Sequence, residues 1–151
     1  MKKQDTQRLT EICRKVEETC MGMRVRRAAR TVGNHYDGHL KPAGIKGTQF
    51  TLLNAIFLNP SVTIGQLAGL LLIDRTTLNR NLKPLEREGL IQSGTGKDLR
   101  VRSLTLTAAG ETSLQQALPL WIEAQSAVFD ILGNRFRRLA DDLSELEKLT
   151  D

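Results

Sequence analysis

Between Asp74 and Glu88 the chain reads DRTTLNRNLKPLERE, and its polar residues are of the types that grip nucleic acid. Arg pairs bidentately with guanine and Asn with adenine. Thr touches a thymine methyl or a phosphate, and Lys neutralises phosphate. At about 100° per residue, Leu78, Leu82 and Leu85 share one helical face, and Thr76, Arg80, Lys83 and Arg87 centre the opposite one. Arg75 and Asn79 flank that outer face on one side and Thr77 on the other. A second basic group, Lys97 and Arg100, lies in the turn-rich run SGTGKDLR with Asp98 between them. A narrow minor groove concentrates negative potential and draws in an inserted Arg. Arg100 is the candidate for that contact, oriented by Asp98. Taken singly, a basic outer stripe is also what a solvated surface helix carries. The joint arrangement is more specific.

These side chains need elements to aim them. Thr63-Ile64-Gly65-Gln66 fits a capping box, in which the hydroxyl reaches forward to an orphan amide and the Gln reaches back. Ile64, Leu67, Ala68 and Leu71 then fall on one face of a short helix. Leu71-Leu72-Ile73 is apolar and is expected to bury the turn that follows. Asp74 suits the N-cap of the second helix, since its carboxylate serves both the free amides and the positive helix end. Pro84 lies inside that helix, where it removes a backbone bond at a cost of about 3 kcal/mol. A bend near residues 80–84, or compensation by packing, is expected. Gly89 provides a C-terminal stop. Leu90-Ile91 and Arg102–Leu106 read as two short strands joined by the basic tip. Capped helix, turn, capped basic helix and basic hairpin form the layout of a winged helix-turn-helix, which places one helix in the major groove.

The flanks read as helices. Residues 7–40 predict a long first helix with breaks at Gly22 and Gly33, and Leu9, Ile12, Val16, Cys20 and Met23 mark one stripe. Pro42 and Gly44 end it. Thr48–Leu58 predicts a second helix with Phe50, Leu53, Ile56 and Phe57 inward and Pro60 closing it. Thr107 caps a third helix over residues 108–132, with Leu114, Leu118, Trp121, Val128 and Leu132 on its apolar side and a bend at Pro119. Beyond Gly133, Phe136, Leu139, Leu143 and Leu146 recur at three- and four-residue steps, a pattern that wants a partner. The fold class is therefore mainly α with a small β-hairpin wing. Stripes at both ends of a short reader favour a dimer over a private monomer core.

The run VTIGQLAGLLLIDRTTLNRNLKPLEREGLI, the wing pair Asp98 and Arg100, and the LTLTAAG junction that follows resemble the MarR family of bacterial transcription regulators. RRAARTVGNHYDGHLKPAGIKGTQFTLL looks like that family's first two helices, and LPLWIEAQSAVFDILG like its long dimerisation helix. The resemblance covers nearly the whole chain. It implies a single domain over residues 1–151, with residues 1–45 and 108–151 supplying dimerisation helices and residues 46–107 the DNA-binding part. It further implies a homodimer on a pseudo-palindromic operator in double-stranded DNA, and repression relieved by a small molecule or by oxidation. Many members carry an acid followed by two Arg at the wing tip; here the middle position is Leu99, one charge fewer. Family ligands bind between the dimerisation helices and the reader. His35, Tyr36, His39, Phe50 and Trp121 are the candidates to line such a cleft, and their groups suit a small aromatic or phenolic effector. Equally, Tyr36, Phe50 and Trp121 are residues that ordinary cores contain.

Charge is distributed unevenly. Residues 1–60 hold 11 basic and 5 acidic groups, residues 61–104 hold 7 and 4, and residues 105–151 hold 4 and 8. The acidic end should face away from DNA. The overall +5 is compatible with nucleic acid. No apolar run follows the basic start and no stretch is of transmembrane length, so a cytoplasmic protein without membrane contact is expected. Nucleophile elbow, phosphate-binding glycine loop and metal-hydrolase motifs are missing from the sequence, which argues against an enzyme and for no cofactor. A winged-helix module that binds protein is the competing interaction class, and the basic stripe argues against it.

Cys13 and Cys20 lie seven residues apart. On one helix that is roughly 10 Å between Cα atoms, too far for a disulfide. Reduced packed thiols are the plain reading. Cys20 is the candidate for a redox-sensing alternative, because Arg24, Arg26 and Arg27 lie near and favour thiolate. Counted back from Tyr36, the reactive cysteine of the peroxide-sensing branch of the resembled family falls at Gly22. His35 and His39, four apart, offer two metal positions without an evident third, so no metal is expected.

Overall fold

A computed structural model describes residues 3–95 and 102–149. It divides into two compact units, residues 1–35 and residues 36–151. The first contains α1 (Lys3–Thr19) and most of α2 (Met21–Leu40). The break expected at Gly22 or Gly33 falls instead at Cys20, and both glycines stay inside α2. A Gly within a helix costs about 1 kcal/mol relative to Ala, too little to end it. Helical bonding also spans the break: the Cys20 N–H donates to the Val16 carbonyl at 2.8 Å, and the Arg24 N–H to the Cys20 carbonyl at 3.2 Å. Among the described residues of this unit none is buried, and Leu9, Ile12, Val16, Met21, Met23, Val25 and Val32 are exposed.

In the second unit a 3-10 turn (Lys41–Ala43) leads to α3 (Gly47–Leu58), β1 (Val62–Thr63), α4 (Ile64–Leu70) and α5 (Arg75–Arg87). Strands β2 (Ile91–Thr95) and β3 (Arg102–Leu106) follow, then α6 (Ala108–Leu132) and α7 (Arg135–Glu147). The sheet order is β1-β3-β2, antiparallel throughout, with Val62 opposite Leu104 and Ile91 opposite Leu106. The two-residue β1 has no alternating pattern to announce it; pairing with β3 makes it a strand. The core sits between α3, α4, α5, the sheet and the start of α6, where Leu53, Ile56, Leu67, Leu78, Leu85 and Leu104 are almost fully buried.

Both halves of the expected capping box form. The Gln66 N–H donates to Thr63 Oγ1 at 3.2 Å and the Thr63 N–H to Gln66 Oε1 at 2.9 Å. Three side chains depart from the expected faces. Phe57 is 53% exposed, and Leu52 is buried in its place, because α5, β3 and α6 all pack on α3 and shift its inner arc. Leu118 is exposed; α6 buries Gly110, Leu114, Ala117 and Ala124 instead, so small residues let its axis approach the core. Leu72 does not bury the turn. It takes the left-handed conformation at φ 50°, and its side chain is exposed. The Ile73 N–H reaches the Ala68 carbonyl at 3.1 Å and the Leu72 N–H the Gly69 carbonyl at 3.3 Å, the bonds of a Schellman stop, which demands that conformation at Leu72.

The stop of α5 uses the same geometry with the residue best suited to it. Gly89 has φ 68°, and the Leu90 N–H donates to the Leu85 carbonyl at 2.9 Å. Helix α5 runs unbroken through Pro84, with Leu82 and Leu85 buried on either side of it in sequence. Helix α7 has no buried residue and exposes Leu139, Leu143 and Leu146. No helix among the described residues is long and apolar enough to cross a membrane.

Gly110 marks the tightest approach. A Cβ there would lie 2.0 Å from the Leu90 carbonyl oxygen, a backbone atom that cannot swing aside. Gly110→Ala should therefore destabilise the fold at or beyond the upper end of the roughly 1–3 kcal/mol that overpacking costs. Urea unfolding measures this; a midpoint equal to the parent's would show that α6 can slide off Leu90 freely.

Candidate nucleic-acid interface

Helix α5 is set by its two ends and its inner face. Asp74 Oδ1 accepts the Thr77 N–H at 2.8 Å, closing the N-terminus. Leu78, Leu82 and Leu85 are buried, which turns the opposite face to solvent. Arg75, Thr76, Asn79, Arg80, Lys83 and Arg87 are all exposed on it. Thr77 is half-buried, and its side chain is engaged with Asp74. The Arg75 guanidinium lies over α4: a Cβ on Gly65 would come within 3.1 Å of Nη2. Arg87 makes a 3.8 Å ion pair with Glu88 in solvent, an interaction worth little there.

A side-chain cluster ties the helix to the hairpin. Glu86 Oε1 accepts from Ser93 Oγ at 2.9 Å and from Arg102 Nη2, and Arg102 Nε donates to Ser93 Oγ at 2.7 Å. One carboxylate on α5 thereby holds both β2 and β3. Sequence reasoning missed all three residues. They stand 7 and 16 positions apart and belong to no periodic pattern; a Glu on an otherwise basic helix was the only available hint. Lys97, Asp98 and Arg100, the expected wing contacts, lie outside the described residues.

The expected effector residues are partly brought together. Phe50 stacks on Trp121, with ring centroids 6.0 Å apart and planes 15° from parallel. The Tyr36 hydroxyl donates to Gln125 Oε1 on α6, and burial pushes the Tyr36 phenol above its ordinary pKa. Trp121 also walls an apolar groove of about 410 Å³ with Ile122, Gln125, Phe129 and Phe136. His39 is half-buried in the last turn of α2, and His35 is half-buried at the end of the first unit. A larger cleft of about 810 Å³ separates the turn before α3 from α5 and includes Lys41, Lys46 and Arg80. Cys13 is exposed and Cys20, at the helix break, is half-buried; both are free thiols. Among the described residues, no group of three or more His, Cys, Asp or Glu side chains could hold a metal ion.

Hydrogen bonds from the Thr77 side chain and backbone hold the Asp74 carboxyl below the usual carboxylate range. A lowered folded pKa contributes stability above the unfolded value, and that stability is lost as pH falls through the folded one. Asp74→Ala should therefore be less stable than the parent at neutral pH, and the gap should close as the pH drops through and below the carboxylate range. Asp74→Asn should keep most of the cap with a weaker pH dependence. Urea titrations between neutral and acidic pH read this directly, and a gap that did not vary with pH would contradict it.

Four similarities to known proteins bear on this geometry. Residues 43–100 match the model of the MarR family. The DNA complex of the transcriptional regulator MosR from M. tuberculosis superposes with a TM-score of 0.80 at 38% identity, covering 87% of this chain and 96% of that one. The transcriptional repressor CouR bound to a 23-mer DNA duplex superposes with a TM-score of 0.76 at 25% identity, covering 91% and 96%. An uncharacterised HTH-type transcriptional regulator of Bacillus cereus is 32% identical over 95 residues, and the chain spans 63% of the length of that curated relative. Superposing over nearly the whole of a 38%-identical transcriptional regulator and matching the family model, the chain belongs to the MarR family of winged helix-turn-helix, DNA-binding transcription regulators.

Proposed function

We propose that this protein is a homodimeric, sequence-specific repressor that binds a pseudo-palindromic operator and releases it on binding a small aromatic or phenolic ligand. The observation that carries the reading is the solvent face of α5. Thr76, Asn79, Arg80, Lys83 and Arg87 stand exposed on a capped helix whose other face is locked by three buried leucines. Arg80 and Asn79 read base edges, while Lys83, Arg87, Arg75 and the two threonines hold phosphates. Lys97 and Arg100, with Asp98 beside them, take the minor groove. The DNA complexes of MosR and CouR, similar over most of this chain, support the same mode.

Dimerisation is assigned to residues 1–45 and 108–151, and DNA binding to residues 46–107. A helical unit with no buried residue among those described and with apolar side chains in solvent supports this, as does the exposed leucine series of α7. Such surfaces are stable when a second copy covers them. Two recognition helices would then meet successive major grooves about 34–36 Å apart. The groove walled by Trp121 falls in the size range of small-ligand sites and is almost wholly apolar, which suits a ring-bearing effector. A ligand that binds the DNA-incompetent spacing better would shift the population away from the operator.

The test is anisotropy binding to the DNA upstream of the protein's own gene against random DNA, across a salt series. Arg80→Ala should lose discrimination between the two, by roughly the 1–3 kcal/mol that a bidentate base contact supplies. Lys83→Ala should weaken both alike and flatten the salt slope. Equal losses on both DNAs for Arg80→Ala would remove its base-reading role. Sedimentation equilibrium should give twice the chain mass at micromolar concentration; a monomer there would sink the dimer.

A further inference from the structure

The cleft between the turn before α3 and helix α5 shares only Arg80 with the outer face described above. One wall carries Lys41 and Lys46, and the other carries Arg80 and Asn81. Two acids also line it, and both are already engaged. Asp37 Oδ1 accepts the Gly47 N–H at 2.7 Å, and Glu88 pairs with Arg87 at 3.8 Å. The start of α3 is likewise satisfied, since the Lys46 N–H donates to Gln49 Oε1 at 2.9 Å. The three cations differ. Among the described residues, Lys41, Lys46 and Arg80 take part in none of the ion pairs. They are left facing an open cleft of about 810 Å³.

We propose that this cleft seats a phosphate of the DNA backbone, held by Lys41 and Lys46 across from Arg80. The inference rests on the DNA-binding reading and extends the contact surface beyond the helix-turn-helix and the wing. A phosphodiester is a single anion with several acceptor oxygens, which suits ammonium groups that converge from one wall. A helix lying in the major groove runs between two walls of phosphate, and the cleft opens along one side of α5. Lys41 and Lys46 reach that wall from the far side of the cleft and add a contact that carries no sequence information.

The experiment compares the full-length parent with Lys41→Gln, Lys46→Gln and the double variant on operator and random DNA over a salt series. One phosphate per cleft is two per homodimer, so the double variant should make the slope of log affinity against log salt shallower by about 1.8, and each single variant by part of that. Over the range from 1 M down to about 0.15 M salt, that slope corresponds to roughly thirtyfold weaker binding for the double variant. The loss should be equal on both DNAs, Lys46→Arg should restore it, and thermal unfolding should match the parent. A parental slope and affinity in the double variant would overturn the cleft while leaving DNA binding by α5 intact. A loss confined to the operator would also overturn it, since a phosphate seat cannot tell sequences apart. Failure of the parent to bind any DNA would bring down the functional reading and the cleft together.

Discussion

The backbone of Leu90 is the point at which the second unit is tied together. Its N–H closes α5 on the Leu85 carbonyl, and its carbonyl accepts the Thr107 N–H at 3.1 Å. Thr107 then does two further things. Its hydroxyl donates to the Gly89 carbonyl at 2.6 Å and accepts the Gly110 N–H at 3.1 Å, capping α6. Gly110 must lack a side chain because Leu90 lies directly beneath it. The end of the recognition helix, the base of the hairpin and the first turn of α6 therefore share one small set of hydrogen bonds. None of the three can rotate without breaking bonds of the other two.

That constraint gives the surface chemistry its aim. A single exposed Arg or Lys contributes little to stability, and its value to a partner depends on where it points. Buried leucines and the Asp74 cap set the rotation of α5 about its axis. The Glu86, Ser93 and Arg102 cluster sets how β2 and β3 meet the helix. Within this unit, acids facing the basic surface are spent on protein groups: Asp74 and Asp37 on backbone amides, Glu86 on Arg102 and Ser93. The cations of α5 and of the neighbouring cleft keep most of their field for solvent and for what approaches from it.

The terminal helices obey a different logic. In α1, α2 and α7 the apolar stripes that the sequence displays are present and uncovered. Amphipathic pattern makes such helices, since the spacing of Leu, Ile and Val fits a helical period, but nothing in one chain buries them. These uncovered stripes lie at both ends of the sequence, on either side of the segment that forms the recognition helix and the strands.

Much of this was readable before folding. Thr63 with Gln66, Asp74, Gly89 and Thr107 announce helix ends because capping is local: the donor and acceptor lie within three residues or so of each other. The outer face of α5 follows from the same short-range periodicity. What tertiary structure alone decided are the features whose partners are distant. Strand β1 exists only because β3 lies beside it. Phe57, Leu72 and Leu118 turn outward because their neighbours, not their own hydropathy, fill the core. The tie from Glu86 to Ser93 and Arg102, the clearance at Gly110 and the convergence of Lys41, Lys46 and Arg80 on one cleft all join residues far apart along the chain. A sequence states local geometry directly, whereas contacts between remote segments depend on how every element packs at once.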